Sequence, residues 1–243
     1  MNLRASLASR VVCEEKCQIV LFHQIQSAGV CKSPSDYATL LNAFVDRLGE
    51  VMTESNILPY DGQAILIDDH GAEFDWPAIT RTLIDTIPWE VETARIFGRE
   101  MPIPRMTAWF GDGAYSYSGI LHLPAPFPAI IERLRERAEA LSGASFNAAL
   151  ANLYRSGRDS VGWHSDNEAG LGNRPIIASL SLGGERRFQF RHRETKQTIT
   201  LGLRMGHWLI MAGETQRFWL HQVPKTAAAA AARVNLSFRH MIP

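Results

Sequence analysis

The chain has 243 residues, 46% of them hydrophobic and 21% charged, with a formal net charge of zero. That composition is ordinary for a soluble globular protein, and the length suffices for one large domain plus an extension. No apolar run approaches the roughly 18 residues of a spanning helix, so no membrane partner is expected.

Arg4 and Arg10 without an acid beside them resemble the start of an organellar transit peptide, but Glu14 and Glu15 end that pattern. The run Ile19-Val20-Leu21-Phe22 is too short for a secretory signal. Cys13, Cys17 and Cys31, with His23 between them, match no strong zinc spacing. An odd cysteine count without a signal reads as reduced thiols in a cytoplasmic setting, or a nuclear one in a eukaryote. Ser33-Pro34-Ser35-Asp36 marks a helix start, with Leu40, Leu41, Phe44, Val45 and Leu48 at helical spacing. Residues 1–56 are expected to form a helical or irregular extension without visible chemistry, and residues 57–243 the main domain.

Asp75-Trp76-Pro77 opens a helix with a capping acid and an early proline, and Ile79, Leu83 and Ile87 supply its apolar stripe. Pro102-Ile103-Pro104 breaks the chain and Gly111-Asp112-Gly113 makes a turn. A second helix is expected from Ala129 to Leu141, with Glu132, Arg133, Glu136 and Arg137 on a solvated face. Short strand-like runs follow at Asn147–Tyr154, Pro175–Leu182, Arg186–His192, Gln197–Leu203, His207–Met211, Arg217–Gln222 and Val234–Arg239. Their regular spacing predicts a β sandwich or barrel, mainly β with flanking helices, not a βαβ sheet. The alanine run Ala227–Ala232 is expected to be a loop between two of them.

The zero net charge hides an asymmetry. Residues 1–94 carry 6 Lys/Arg against 14 Asp/Glu, a sum of −8, and residues 95–243 carry 19 against 11, a sum of +8. The surplus on the second half is almost all arginine, which suits bidentate phosphate contacts to a nucleic acid, although an ordinary surface with charge distributed by chance gives the same split.

That half also holds the chemistry. His164-Ser165-Asp166 and the later His221 offer two imidazoles and one carboxylate, a set that suits a divalent iron with open positions for a co-substrate and O₂. A lone His-x-Asp reads as readily as a surface salt bridge, and His221 alone as a satisfied core histidine. The closing segment Arg233-Val234-Asn235-Leu236-Ser237-Phe238-Arg239 raises the specificity. On a strand its two cations and two neutral polar groups share one face, and its apolar residues line the other. Asn152 and Tyr154, alternating with Leu153 upstream, can donate to a carboxylate or keto oxygen.

Taken together, Asn152-Leu153-Tyr154, His164-Ser165-Asp166, His221 and Arg233 to Arg239 resemble the AlkB family of iron- and 2-oxoglutarate-dependent dioxygenases. The likeness extends through Pro104-Arg105, Trp109-Phe110-Gly111-Asp112 and Ile176–Leu182, about residues 57–243. It implies a double-stranded β-helix (jelly-roll) core and oxidative demethylation of N-alkylated nucleobases, 1-methyladenine and 3-methylcytosine in type, in DNA. It implies Fe(II) on His164, Asp166 and His221, and 2-oxoglutarate lined by Asn152, Tyr154, Arg233, Asn235, Ser237 and Arg239. Which arginine takes which end of 2-oxoglutarate stays open. Ser237 stands where many members have threonine, and the alanine run replaces a more polar loop. RNA or tRNA is the alternative substrate, a protein or small-molecule hydroxylase a further one, and a cupin-like binding module a third. A monomer is expected.

A base inside a duplex must be flipped out before it can react. By resemblance, Phe97-Gly98 matches the finger that members acting on duplexes push into the stack, where apolar wedges unstack base steps. Tyr115 and Tyr117 match a lid whose aromatics clamp the base. Glu168 matches an acidic position that would favour a cationic lesion. Arg105, Arg191 and Arg193 are candidate phosphate contacts.

Overall fold

The computed structural model describes residues 55–69, 73–96, 99–111, 113, 115–117, 120–122, 125–228 and 230–242. The three cysteines, the helix expected after Ser33 and the pair Phe97-Gly98 lie outside the described residues.

Two antiparallel sheets carry the fold. The larger runs in the order β1-β12-β9-β14-β7-β4 and the smaller in the order β11-β10-β13-β8. In chain order their strands are β1 (Gln63–Asp68), β4 (Met106–Gly111), β7 (Ala148–Tyr154), β8 (Val161–His164), β9 (Ile177–Gly183), β10 (Arg186–His192), β11 (Thr198–Leu203), β12 (His207–Ala212), β13 (Trp219–Val223) and β14 (Arg233–Arg239). Two hairpins, β2 (Thr93–Ile96) with β3 (Arg99–Pro102) and β5 (Tyr115–Tyr117) with β6 (Ile120–His122), stand apart from them. The alternation of the sequence explains the sandwich. Phe188, Phe190, Trp219, Val223, Leu209, Met211 and Ile177 recur every second residue and bury one face of each sheet in a common core with Leu58 and Leu203. Each such side chain contributes about 1.5–3 kcal/mol of burial.

The outer face of the large sheet needs its own cover, because β14 buries both faces: all seven of its residues are buried. Helix α1 (Trp76–Thr86) packs on β9 and β14 with Trp76, Ile79, Thr80 and Leu83 buried. Its start is as expected, with Asp75 accepting the Ala78 N–H and proline in the first turn. Helix α2 (Ala129–Ser142) buries Ile131, Leu134 and Ala138 and ends at Gly143 in the left-handed region. Its charged face is not simply solvated, which corrects the expectation. Arg137 makes two hydrogen bonds to the buried carboxylate of Asp69, which also accepts from the Trp208 indole, while Arg135 pairs with Glu132 and Glu139.

Strand limits depart from expectation in one instructive place. Arg217 and Phe218 belong to a four-residue helix, α3 (Thr215–Phe218), and β13 starts at Trp219. The loop expected at the alanine run is present, and it passes against Gly183 (φ +81) at the end of β9. A Cβ at Gly183 would collide with the Ala232 carbonyl oxygen, so this close approach requires glycine.

Candidate active site

The site lies between the two sheets, and strand register assembles it. His221 on β13 is paired directly with His164 at the end of β8, which brings the ring centroids to 4.2 Å. The register shifts between His221 and Val223, so Gly162 and Trp163 form an irregularity that turns both Val161 and His164 inward. Asp166 lies two residues beyond the strand end. Its N–H is held by the buried side chain of Gln216 from α3 at 2.9 Å. Among the described residues, one ligand atom from each of His164, Asp166 and His221 falls within 4.8 Å of the others. Asp166 and His221 are buried and His164 is partly exposed.

Across from them, β14 supplies the polar wall. Arg233, Asn235, Ser237 and Arg239 share one face of the strand and line a cavity with Asn152, Tyr154, Ser179 and Arg105. Arg239 pairs with Asp166 at 3.0 Å. Arg233 sits at the other end of the strand, with its guanidinium over the Tyr154 ring at 5.2 Å and Nη2 on the Ser181 hydroxyl at 2.8 Å. Asn235 donates to Ser179 and to the Leu180 carbonyl, and Ser237 donates to Asn235. Leu150, Phe188, Met211 and Val223 complete the lining with apolar surface.

Buried polar groups are normally hydrogen-bonded, and the exceptions need an explanation. Here Asp166 Oδ1, His221 Nδ1, and Nε and Nη1 of Arg233 are buried without a hydrogen-bond partner. An imidazole nitrogen and a carboxylate oxygen left free beside a second imidazole suit a divalent transition metal. Unpartnered guanidinium donors suit a carboxylate. The residues present therefore fit an iron and a dicarboxylate.

Charge states agree with that fit. Burial raises the Asp166 carboxyl, but Arg239, then His221, His164 and Arg105, outweigh it and hold it below the usual range. Burial and then the His164 charge push the His221 imidazole from about 6.5 down to about 3, against the pull of Asp166. A neutral imidazole is the form that binds metal. A stability prediction follows for the metal-free protein. The unfolded chain protonates His221 near pH 6.5 and the folded chain does not until about 3, so stability falls as pH drops through that window. Asp166, with its lowered folded value, adds a loss of the same sign at the acid end. The melting temperature should fall from pH 7 to 4.5, and less in His221→Gln. Parallel curves for the two proteins would remove His221 as the source.

The remaining expected residues are placed unevenly. Arg105 is buried, 6% exposed, and donates through Nε to Asn152 at 2.7 Å, so it is part of the cavity and not a surface phosphate contact. Glu168 is partly exposed and heads a short 3-10 turn (Ala169–Leu171), and its Oε2 is buried without a partner. Tyr115 and Tyr117 stand at the two ends of β5, paired with His122 and Ile120. Sequence reasoning missed Gln216, Ser179 and Ser181. A lone glutamine in a four-residue helix and two serines in an apolar strand carry no signal until register brings them to the site.

The segment from Trp76 to Arg239 matches the family model for the 2OG-Fe(II) oxygenase superfamily. The chain belongs to the 2OG-Fe(II) oxygenase superfamily. Membership brings Fe(II), 2-oxoglutarate and O₂ as the family's cofactors, in agreement with the donors gathered between the sheets. Within the superfamily the similarity is to AlkB homologues, as the closing motif implies. The chain is 40% identical over 181 residues to the human alpha-ketoglutarate-dependent dioxygenase alkB homolog 3, covering 70% of this chain and 63% of that protein. It is 36% identical over 159 residues to the DNA oxidative demethylase ALKBH2 of Mus musculus, covering 61% of this chain and 66% of that protein. This oxygenase spans a little over three fifths of the length of the alkB homolog 3 proteins it matches. The solved structure of OsALKBH1 superposes with a TM-score of 0.53 at 17% identity, over 73% of this chain and 97% of that one. At that identity the likeness concerns the fold, which is mainly antiparallel as the strand pattern predicts, and is the jelly roll that the AlkB resemblance implies.

Proposed function

We propose that this oxygenase oxidatively demethylates N-alkylated nucleobases in DNA, of the 1-methyladenine and 3-methylcytosine type. The observation that carries the reading is the convergence of His164, Asp166 and His221 within 4.8 Å, at one end of a cavity whose other end holds Arg233 with two unpartnered buried donors. In this reading the three side chains hold Fe(II), and Arg233, Asn152, Tyr154, Asn235, Ser237 and Arg239 hold 2-oxoglutarate. When bound, the iron supplies the redox chemistry that couples decarboxylation of 2-oxoglutarate by O₂ to hydroxylation of the N-methyl group, which then leaves as formaldehyde.

The chain's own residues do the rest. Arg239, tied to Asp166, sits at the metal end, so Arg233 takes the far carboxylate of 2-oxoglutarate. Leu150, Phe188, Met211 and Val223 keep water away from the reacting end. Glu168, two residues past Asp166, favours a cationic ring, and Tyr115 and Tyr117 clamp the base while Phe97-Gly98 enters the stack. Relatives named as DNA oxidative demethylases support DNA over RNA.

The test is formaldehyde release from methylated single-stranded DNA, duplex DNA and RNA, supplied with iron, 2-oxoglutarate and ascorbate. Release is expected from DNA. Release from RNA alone transfers the reading to RNA, and succinate formed only on a peptide or small molecule overturns it.

A further inference from the structure

Arg186 is a buried cation that the chemistry described so far does not use. It opens β10, and the alternation of that strand sends it inward with Phe188 and Phe190, 3% exposed. Arginine is almost never buried this far unless it is paired. Its Nη1 donates to the Ser156 carbonyl at 3.2 Å, and its Nη2 to the carbonyls of Asp159 and Pro224 at 2.8 Å. The carboxylate of Asp159 is engaged elsewhere, with both oxygens accepting from Arg155. Three carbonyls satisfy hydrogen bonds that a neutral amide could equally supply. They do not balance the charge.

That charge stands at the Arg233 end of the cavity. The Arg186 guanidinium lies 5.5 Å from the centroid of the Tyr154 ring, and the Arg233 guanidinium lies 5.2 Å from the same centroid. Tyr154 and Arg233 line the cavity, while Arg186 is held outside it by the turn at residues 156–159 and by Pro224. Two cations at most about 11 Å apart repel appreciably in a protein interior, where the effective dielectric is about 20. Among the described residues the cavity lining holds one acid, Asp166, and Arg239 already pairs with it at the metal end. The Arg233 end therefore brings two cations to a single incoming carboxylate.

We infer that Arg186 determines co-substrate specificity without touching the co-substrate. Its charge adds to that of Arg233 beside Tyr154, so the cavity selects a 2-oxo acid with a second carboxylate over one that ends in a methyl group. A neutral tail beside two buried cations leaves their repulsion in place, whereas a carboxylate relieves it. The carbonyl clamp fixes where the charge sits: Ser156 and Asp159 follow the end of β7 at Tyr154, and Pro224 follows the end of β13. The inference rests on the reading above that Arg233 holds the far carboxylate of 2-oxoglutarate.

The test measures the affinities of 2-oxoglutarate and 2-oxopentanoate for the Mn(II)-loaded full chain by titration calorimetry, and reads their ratio. Arg186→Gln keeps donors for the carbonyls and drops the charge, so affinity for 2-oxoglutarate should fall by about ten- to thirtyfold. Affinity for 2-oxopentanoate should stay at the wild-type value, and the ratio should fall by the same factor. Arg186→Lys keeps the charge and should hold the ratio within about threefold of wild type. Arg155→Ala, at a half-exposed position, frees the Asp159 carboxylate to neutralise Arg186 and should lower the ratio in the same direction. Arg81→Ala, exposed on α1, should leave both affinities unchanged. A merely structural role weakens both acids together, and that result overturns the inference. So does the wild-type ratio in Arg186→Gln, or in Arg155→Ala should the first variant not fold, and so does a ratio in Arg186→Lys as low as in Arg186→Gln. The reading beneath it fails differently: a ratio lowered by Arg239→Gln and not by Arg233→Gln puts the far carboxylate at the other end, whatever Arg186 does.

Discussion

Asp166→Asn should abolish 2-oxoglutarate turnover by more than about a hundredfold, beyond what loss of a supporting residue typically costs a metal site. The change keeps the volume and removes the charge. An amide offers a metal one weak oxygen in place of an anion, and its NH₂ must face either the ion or Arg239, both of which repel a donor. Stability should respond as well. Asp166 and Arg239 are buried together at 3.0 Å, and removing one partner of a buried pair costs about 3–5 kcal/mol. The smaller figure applies to asparagine, which still accepts from Arg239. Binding of Mn(II) by the metal-free variant, followed by electron paramagnetic resonance, separates the two effects from activity. Mn(II) affinity equal to wild type would remove Asp166 from the ligand set, however inactive the enzyme.

Much of this site was legible before any coordinates, for a physical reason. A strand that must present polar groups to a ligand and apolar groups to a packing layer has a strict period of two, and Arg233 to Arg239 shows it without exception. The helix at Asp75 was legible because capping chemistry is local. What stayed hidden depends on partners distant in sequence. Arg105 reads as one more surface cation until β4 pairs with β7 and brings it onto Asn152. Arg137 reads as solvated until the buried Asp69 meets it across 68 residues. Gln216 has no pattern at all, and its role exists only because α3 places its amide against the backbone of Asp166. The two arginines of β14 look equivalent in the motif, and only the ion pair of Arg239 distinguishes them.

That distinction yields the second large effect. Arg233 is 2% exposed, and burial first, with the nearby Arg186 charge, lowers its pKa, yet a guanidinium stays protonated at neutral pH. A buried cation with two unpartnered donors is costly to the folded chain, and an arriving carboxylate relieves that cost. Arg233→Gln should therefore weaken 2-oxoglutarate binding to the Mn(II)-loaded protein by about 100- to 1,000-fold, about 3–4 kcal/mol. The far carboxylate is remote from the reacting bond, so KM should rise with little change in kcat. 2-Oxopentanoate, which carries a methyl group where 2-oxoglutarate carries its far carboxylate, closes the cycle. Its affinity should be the same for wild type and Arg233→Gln if the guanidinium and that carboxylate interact with each other. Equal sensitivity of both acids to Arg233→Gln, or selective loss of 2-oxoglutarate in Arg239→Gln instead, would exchange the two arginines' roles. The ligand-free protein supplies the opposite sign: Arg233→Met, which removes a buried charge and keeps the apolar stem against Tyr154, should melt no lower than wild type. Loss of ligand affinity without loss of stability is the signature of a cation kept in the core for its ligand.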